Sequence, residues 1–158
     1  SIEQEYEYIR HHGSWENFLA NLKCIQTLNH KISFNMLHFI LNYKSIHQCI
    51  NFLKRKGFND NSFIAGPLYS PVYYNTLNLP TELVINITNT LKFQLSENPK
   101  GYLKNSYENL LSYYSTTKWN KNMPLFFENM LSLDTRRGLD SKKVFPELYK
   151  ELDAYSLE

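Results

Sequence analysis

The chain has 158 residues, 42% of them apolar, and a formal net charge of +2. This length and composition suit a globular domain with its own core, and they exclude a disordered or fibrous protein. The small net charge gives no general affinity for nucleic acid or for an anionic membrane, so either partner would require a local basic patch.

A membrane-spanning segment is not expected. No run approaches the roughly 18 consecutive apolar residues of a membrane helix, and no basic and apolar leader precedes a cleavage site. We therefore expect a soluble, cytoplasmic protein. Cys24 and Cys49 fall on apolar faces of predicted helices, which predicts small buried side chains rather than a disulfide or a metal pair.

The first predicted elements are helical. Residues 1–13 are predicted to form an ordered loop or a short helix. Ser14 is the predicted N-cap of a helix that ends near Asn29, because apolar residues recur there at spacings of three and four. These apolar residues are Trp15, Phe18, Leu22 and Ile25.

A strand, helix, strand unit follows, and the rest of the chain is organised around it. The run 32–41 alternates and then becomes apolar on both faces, which is typical of a covered strand in a parallel sheet. A helix is predicted from Ser45, whose hydroxyl can cap the first turn, to Lys56, with Gly57 as its left-handed end. The run 62–68 is the second predicted strand, and two parallel strands joined in this way need a larger sheet.

From about residue 81 the chain is predicted to be helical. Predicted helices begin near Pro80, after the turn 98–101, at Pro124 and near the C-terminus. With two or three strands at most, the sheet would leave exposed edges, so we expect another chain or a further segment to complete it.

Several short segments, taken in order, carry a family resemblance. They are Glu5-Tyr-Glu-Tyr-Ile-Arg10-His-His-Gly13 with Ser14-Trp15, the strand that holds Asn35 and ends in Leu41-Asn42-Tyr43, Gly66-Pro-Leu-Tyr-Ser-Pro71, Leu79-Pro80, and Leu133-Asp134 with Arg137-Gly138 and Phe145-Pro-Glu-Leu148. Together they resemble the C-terminal half of radical S-adenosylmethionine (radical SAM) proteins with a twitch-like C-terminal region. The resemblance covers nearly the whole chain.

The resemblance implies an α/β fold. Residues 1–80 would form the C-terminal half of a partial (β/α) barrel, with two to three parallel strands and covering helices, and residues 81–158 a helical twitch-like region. In this family a CxxxCxxC loop holds a [4Fe-4S] cluster that cleaves S-adenosylmethionine. The two cysteines here cannot replace the three of that loop. The chain would therefore not be catalytic alone, and it would need an N-terminal half or a second chain that carries the cluster.

The resemblance also implies cofactor-binding roles for five residues. Arg10 would pair with the carboxylate of S-adenosylmethionine, since a guanidinium fork binds carboxylates bidentately. Asn35 and Asn42 would order the cleft, and Leu68 and Tyr69 would pack near the adenine. The residues alone also allow structural explanations: an exposed loop arginine, asparagines paired with backbone or water, and core or rim packing.

Other polar residues have simpler explanations. His11 and His12 are adjacent and point in different directions, which disfavours joint metal binding, and His38 is predicted to be a core histidine with hydrogen-bond partners. The charged segment 134–140 is predicted to dock the C-terminal region. Alternatively, the basic cluster of Arg136, Arg137, Lys142 and Lys143 would contact phosphate. The chain shows no self-sufficient catalytic site and no metal site.

The leading hypothesis is therefore the C-terminal portion of a radical SAM enzyme, with part of the S-adenosylmethionine cleft and a helical region that docks a substrate, expected to be a peptide, or a partner. The alternative is a non-enzymatic, α-rich module that binds a protein or, less expected, nucleic acid. The first would oligomerise or bind a second chain through its open sheet edge, whereas the second would be monomeric and unfold cooperatively.

Overall fold

The structure, a computed structural model, describes residues 2–28, 30–119 and 121–155. Helices predominate, and two strands form the sheet of this described part. In chain order the elements are α1 (Glu3–Ile9), α2 (Trp15–Gln26), β1 (Phe34–His38), α3 (Ile46–Arg55), β2 (Phe63–Pro67), α4 (Thr81–Ser96), α5 (Gly101–Thr116), α6 (Met123–Arg137), α7 (Ser141–Val144) and α8 (Pro146–Tyr155). The α/β class is confirmed at this level, while a half barrel is not shown.

β1 and β2 pair in parallel, in a register that runs from Phe34 opposite Phe63 to His38 opposite Pro67. Both strands are shorter than predicted. β1 ends at His38 because a turn follows, in which the Asn42 side chain bonds the backbone of residues just before it. The predicted strand residues 39–41 therefore belong to the connection into α3.

α3 lies close to its predicted bounds. Gly57 follows it with a φ of 97°, in the left-handed region that was predicted from the sequence. The predicted cap is wrong, because the Ser45 hydroxyl makes no capping bond and its oxygen is buried without a partner in the described part of the chain. The backbone N–H groups of Ser45 and Ile46 instead donate to the Asn42 carbonyl, at 3.0 and 2.8 Å.

α2 begins as predicted, with the Ser14 hydroxyl accepting a bond from the Asn17 N–H at 3.2 Å. Its predicted end at Asn29 lies outside the described residues. Cys24 is exposed, so its predicted burial is wrong, whereas Cys49 is buried as predicted. α2 buries Leu22 fully, and Cys24, two positions further, faces the other side of the helix.

One face of the sheet is covered by protein. Phe63 and Ala65 are buried, whereas Leu37 and Ile64 on the opposite face are 47% and 43% exposed. The prediction that the first strand is covered on both faces is therefore wrong for the described part of the chain. The open face of β1 instead exposes one polar and one apolar side chain, Asn35 and Leu37.

The apolar core continues across the boundary predicted at residue 80. The rings of Tyr74 and Phe126 lie 5.6 Å apart, and those of Tyr8 and Phe145 lie 5.2 Å apart. The division into residues 1–80 and 81–158 stays a prediction, but the two regions share one core. Among the described helices, none combines the length and the apolar character needed to cross a membrane.

The charged segment near residue 134 belongs largely to α6, which is longer than predicted and ends at Gly138 in a left-handed conformation. Asp134 lies one turn before this end and accepts a bond from the Tyr8 hydroxyl at 2.7 Å. Arg137 donates to the Tyr8 carbonyl at 3.0 Å. α6 therefore binds α1 through two groups of Tyr8, its side-chain hydroxyl and its backbone carbonyl.

Candidate functional site

A groove of about 430 Å³ runs along the edge of β1 that faces away from β2. β1 lines the groove along its whole length, and α1 and α2 form one wall. Cys49 and Leu53 of α3 form its base. The wall is aromatic, because Tyr6, Trp15 and Phe18 stack with one another at centroid distances of 5.1 to 5.4 Å. Three of the five predicted cofactor residues, namely Arg10, Asn35 and Asn42, line this groove.

Arg10 caps the C-terminal end of α1 and is exposed at the mouth of the groove. Its guanidinium lies over the Tyr6 ring, 5.6 Å from the centroid. Within the described residues no carboxylate pairs with it, so its fork of N–H groups is available to an external anion. This arrangement suits the predicted role of Arg10 in binding a carboxylate.

Gly13 fixes the loop that carries Arg10. Its N–H donates to the Arg10 carbonyl at 2.6 Å. A Cβ at position 13 would come within 2.7 Å of that carbonyl oxygen and 2.9 Å of the Arg10 Cβ. Because these neighbours are backbone or backbone-proximal atoms, only glycine allows this close turn.

Gly13→Ala is therefore expected to lower the free energy of unfolding by about 1–2 kcal/mol and to displace Arg10. Urea unfolding and the side-chain NMR signal of Arg10 measure the two effects. Gly66→Ala is the matched control, since no atom lies within 4 Å of a Cβ built there. Equal stability of the two variants would contradict the tight packing at Gly13.

Asn35 and Asn42 differ in what their side chains do. Asn35 is exposed and its side chain makes no hydrogen bond to the described residues, so its amide is available in the groove. The buried Asn42 amide accepts from the Phe39 N–H at 2.9 Å and donates to the Leu37 carbonyl at 2.6 Å. Asn42 thus makes the structural pairing that the sequence left open, and a contact with cofactor stays a prediction.

Leu68 and Tyr69 lie away from the groove, at the carboxyl end of β2. The Leu68 N–H donates to the His38 carbonyl at 3.1 Å, and its carbonyl accepts from the Asn75 amide at 2.6 Å. The Tyr69 ring is 64% exposed and lies edge-to-face with Tyr113 at 5.5 Å. The structure therefore divides the five candidates between the groove and this second position, and Asn35 lies near the other end of the paired strands, opposite Ile64.

Sequence reasoning missed the residues that complete these two places. Asn75 and Tyr113 support Leu68 and Tyr69, and the Asn75 amide also donates to the Tyr113 hydroxyl at 2.9 Å. Tyr6 forms part of the groove wall next to Arg10. No signal in the sequence separated these side chains from ordinary core and helix packing.

A second cavity, of about 290 Å³, holds two buried histidines on the other side of β1. His38 Nδ1 bonds the Tyr114 hydroxyl at 2.6 Å and His47 Nδ1 bonds the Tyr107 hydroxyl at 3.2 Å. His38 Nε2 has no partner in the described part of the chain, so the prediction of a fully bonded core histidine is half right. Burial lowers the pKa of His38 to about 3 and that of His47 to about 4, so both are neutral near pH 7.

The residues of this chain do not fit an iron-sulfur cluster. Cys24 is exposed on α2 and Cys49 is buried on α3, and three cysteines are needed to leave one iron for the cofactor. The described residues contain no group of three or more side chains placed to hold a metal ion. A cluster that acts on this chain's groove would have to be held by another segment.

No family model, curated protein or solved structure matches the chain. The resemblance to radical SAM proteins therefore depends on the sequence segments quoted above.

Proposed function

We propose that this chain is the C-terminal portion of a radical SAM enzyme and supplies part of its S-adenosylmethionine cleft. The observation that carries the proposal is the groove beside β1, where the unpaired Arg10 guanidinium and the unpaired Asn35 amide lie beside a parallel strand with an open edge. Support also comes from the strand, helix, strand order, which is the repeating unit of a (β/α) barrel.

The residues of the groove suit the amino acid end of the cofactor. The Arg10 fork would bind its carboxylate bidentately, and the Asn35 amide would accept or donate a hydrogen bond at its polar groups. Leu68 and Tyr69, at the carboxyl end of β2, would pack against the adenine, for which Tyr69 offers an exposed ring. In such an enzyme a [4Fe-4S] cluster held by another segment would supply the electron that cleaves S-adenosylmethionine.

The proposed enzyme needs a partner or further segment with a CxxxCxxC loop. The C-terminal helices of this chain would then dock the substrate, for which a peptide is our proposal within the family, or that partner. The cytoplasmic location expected from the sequence stays a prediction.

Titration of the chain with S-adenosylmethionine, followed by NMR, tests the proposed cleft. Half a cleft is expected to bind weakly, with a dissociation constant of about 1 mM or above. Backbone and side-chain signals of Arg10 and Asn35 should shift, and Arg10→Gln should reduce the shifts at Asn35 at least tenfold. Arg55→Gln removes an exposed arginine of α3 and is the matched control.

Adenosine, which lacks the carboxylate, should leave the Arg10 signal in place. Shifts at Arg10 that are the same with adenosine, or no shift with S-adenosylmethionine at about 10 mM, would overturn the proposed cleft.

A non-enzymatic binding module is the second candidate. It is favoured by the closed outer edge of β2, where the Ala65 N–H donates to the Ser106 hydroxyl of α5 at 2.9 Å, and by the continuous core. These features suit a unit that folds alone. A CxxxCxxC loop in the neighbouring coding sequence would favour the enzyme, and its absence there would favour the module.

A further inference from the structure

A third cavity, of about 260 Å³, lies between α1, the connection that precedes α3 and the beginning of α8. It shares no lining residue with the groove beside β1, so a ligand bound there would be separate from the proposed cofactor cleft. The volume is several times the roughly 30 Å³ that one water occupies in the liquid. The cavity therefore has room for a small organic molecule.

Two polar atoms of the cavity wall are buried without a hydrogen-bond partner in the described part of the chain. They are Oε2 of Glu5 on α1 and Oγ of Ser45 at the start of α3. Ser45 is only 4% exposed. Serines in helices often bond a carbonyl of the preceding turn, which the Ser45 hydroxyl does not do. Because buried polar groups are costly when they are left unbonded, one ligand that bonds both atoms would be stabilised in this cavity.

The charges of the wall select a cationic ligand. Glu5 forms no ion pair with any described lysine, arginine or histidine. Lys44 also lines the cavity, but its Nζ is paired with Glu151 at 2.6 Å. Glu147 contributes a second carboxylate to the wall. Because a partly buried carboxylate without a countercharge is unfavourable, a positively charged group is the partner that stabilises it most.

The rest of the wall is mainly apolar and fits an alkyl chain. Its apolar side chains are those of Ile40, Leu41, Val144, Phe145, Pro146 and Leu148. An ammonium group carries one positive charge and three N–H donors, and it accepts no hydrogen bond. It can therefore donate to the Glu5 carboxylate and to the Ser45 hydroxyl oxygen while its alkyl chain lies against the apolar side chains.

We propose that this cavity binds a small aliphatic amine in its protonated form, with the ammonium group between Glu5 and Ser45. The Glu5 carboxylate supplies the countercharge, the Ser45 hydroxyl accepts one N–H bond, and the apolar wall holds the alkyl chain. The proposal does not involve S-adenosylmethionine, so its failure would leave the proposed cofactor cleft unaffected.

Titration with n-butylammonium chloride, followed by NMR at pH 7 against the same concentration of potassium chloride, tests the proposal. The signals of the Ser45 amide and of the Glu5 carboxyl carbon should shift, with a dissociation constant of about 1 mM. 1-Butanol has the same alkyl chain without the charge, and butyltrimethylammonium has the charge without N–H donors. Both should bind at least tenfold more weakly.

Two variants assign the contacts. Glu5→Gln removes the charge at nearly constant shape and should weaken binding of n-butylammonium at least tenfold. Ser45→Ala removes the hydroxyl and should weaken binding about fivefold. Neither side chain bonds another described residue through the atom that changes, so both variants should fold. Glu3→Gln removes an exposed carboxylate of α1 and is the matched control, with unchanged affinity.

No shift at about 50 mM n-butylammonium would overturn the proposal, because the two unbonded atoms would then be satisfied by water alone. Equal binding of 1-butanol would show that only the apolar wall acts, and equal binding of butyltrimethylammonium would show that no N–H bond forms. Unchanged binding in Glu5→Gln or in Ser45→Ala would likewise overturn it.

Discussion

Asp134→Ala is expected to lower the free energy of unfolding by about 3 kcal/mol and to release α1 from the C-terminal helices. The Asp134 carboxylate accepts three hydrogen bonds: from the Tyr8 hydroxyl at 2.7 Å, from the Ser141 N–H at 2.9 Å and from the Ser141 hydroxyl at 2.7 Å. Bonds to a charged group contribute more than neutral ones, and all three donors would lose their partner at once.

The network also reaches the groove. Tyr8 is buried, and burial together with the Asp134 carboxylate raises its pKa, so its hydroxyl stays a donor over the physiological range. Arg10 follows Tyr8 by two residues, and α1 is a helix of 7 residues that makes few bonds of its own. Loss of Asp134 should therefore also speed hydrogen exchange in α1 and shift the Arg10 signal.

Urea unfolding and hydrogen exchange of α1 measure these effects. Tyr8→Phe removes one of the three bonds and should cost about 1 kcal/mol. Asp153→Ala removes an exposed carboxylate of α8 and is expected to change stability by less than about 0.5 kcal/mol. If Asp134→Ala behaved like Asp153→Ala, the attachment of α1 would not depend on this carboxylate.

Features coded by neighbouring residues were predictable from the sequence. The N-cap at Ser14 and the left-handed Gly57 depend on a few adjacent residues, and both are confirmed. The strand, helix, strand order was predicted because the spacing of apolar residues changes from a strand pattern to a helix pattern and back. The structure confirms it, and the two strands pair in parallel. The end of β1 was not predictable, because it is set by the Asn42 side chain, which bonds the backbone of Leu37 and Phe39. The spacing of apolar residues along the sequence carries no signal for such a side-chain bond.

Features that depend on distant residues were missed. The outer edge of β2 is closed by Ser106, 41 residues away from Ala65, so the prediction of two exposed edges holds for β1 alone. At the candidate site, Arg10, Asn35 and Asn42 line one groove, and their cofactor-binding roles stay a prediction. Leu68 and Tyr69 lie apart from it, because the short β2 carries them to its own end beside Tyr113.

Acid is expected to destabilise the protein through its two buried histidines. Burial lowers the pKa of His38 to about 3 and that of His47 to about 4, from a usual value of 6.5. Below pH 6.5 the unfolded chain binds protons that the folded chain does not, so stability is complete above this pH and falls as the pH drops toward the folded values. Between pH 7 and pH 5 each histidine should remove about 2 kcal/mol, or about 4 kcal/mol together.

Urea unfolding at pH 7 and at pH 5 measures this loss, and asparagine variants assign it. His38→Asn and His47→Asn place an amide near the position of Nδ1, where it can still meet the tyrosine hydroxyl, and neither titrates. Between pH 7 and pH 5 the free energy of unfolding of each variant should therefore fall by about 2 kcal/mol less than that of the native chain, whatever its stability at pH 7.

His30→Asn replaces an exposed histidine and should leave the pH dependence unchanged. A pH dependence that is the same in all four proteins would mean that His38 and His47 take up protons in the folded state, and the neutral imidazoles assigned to this cavity would then be wrong.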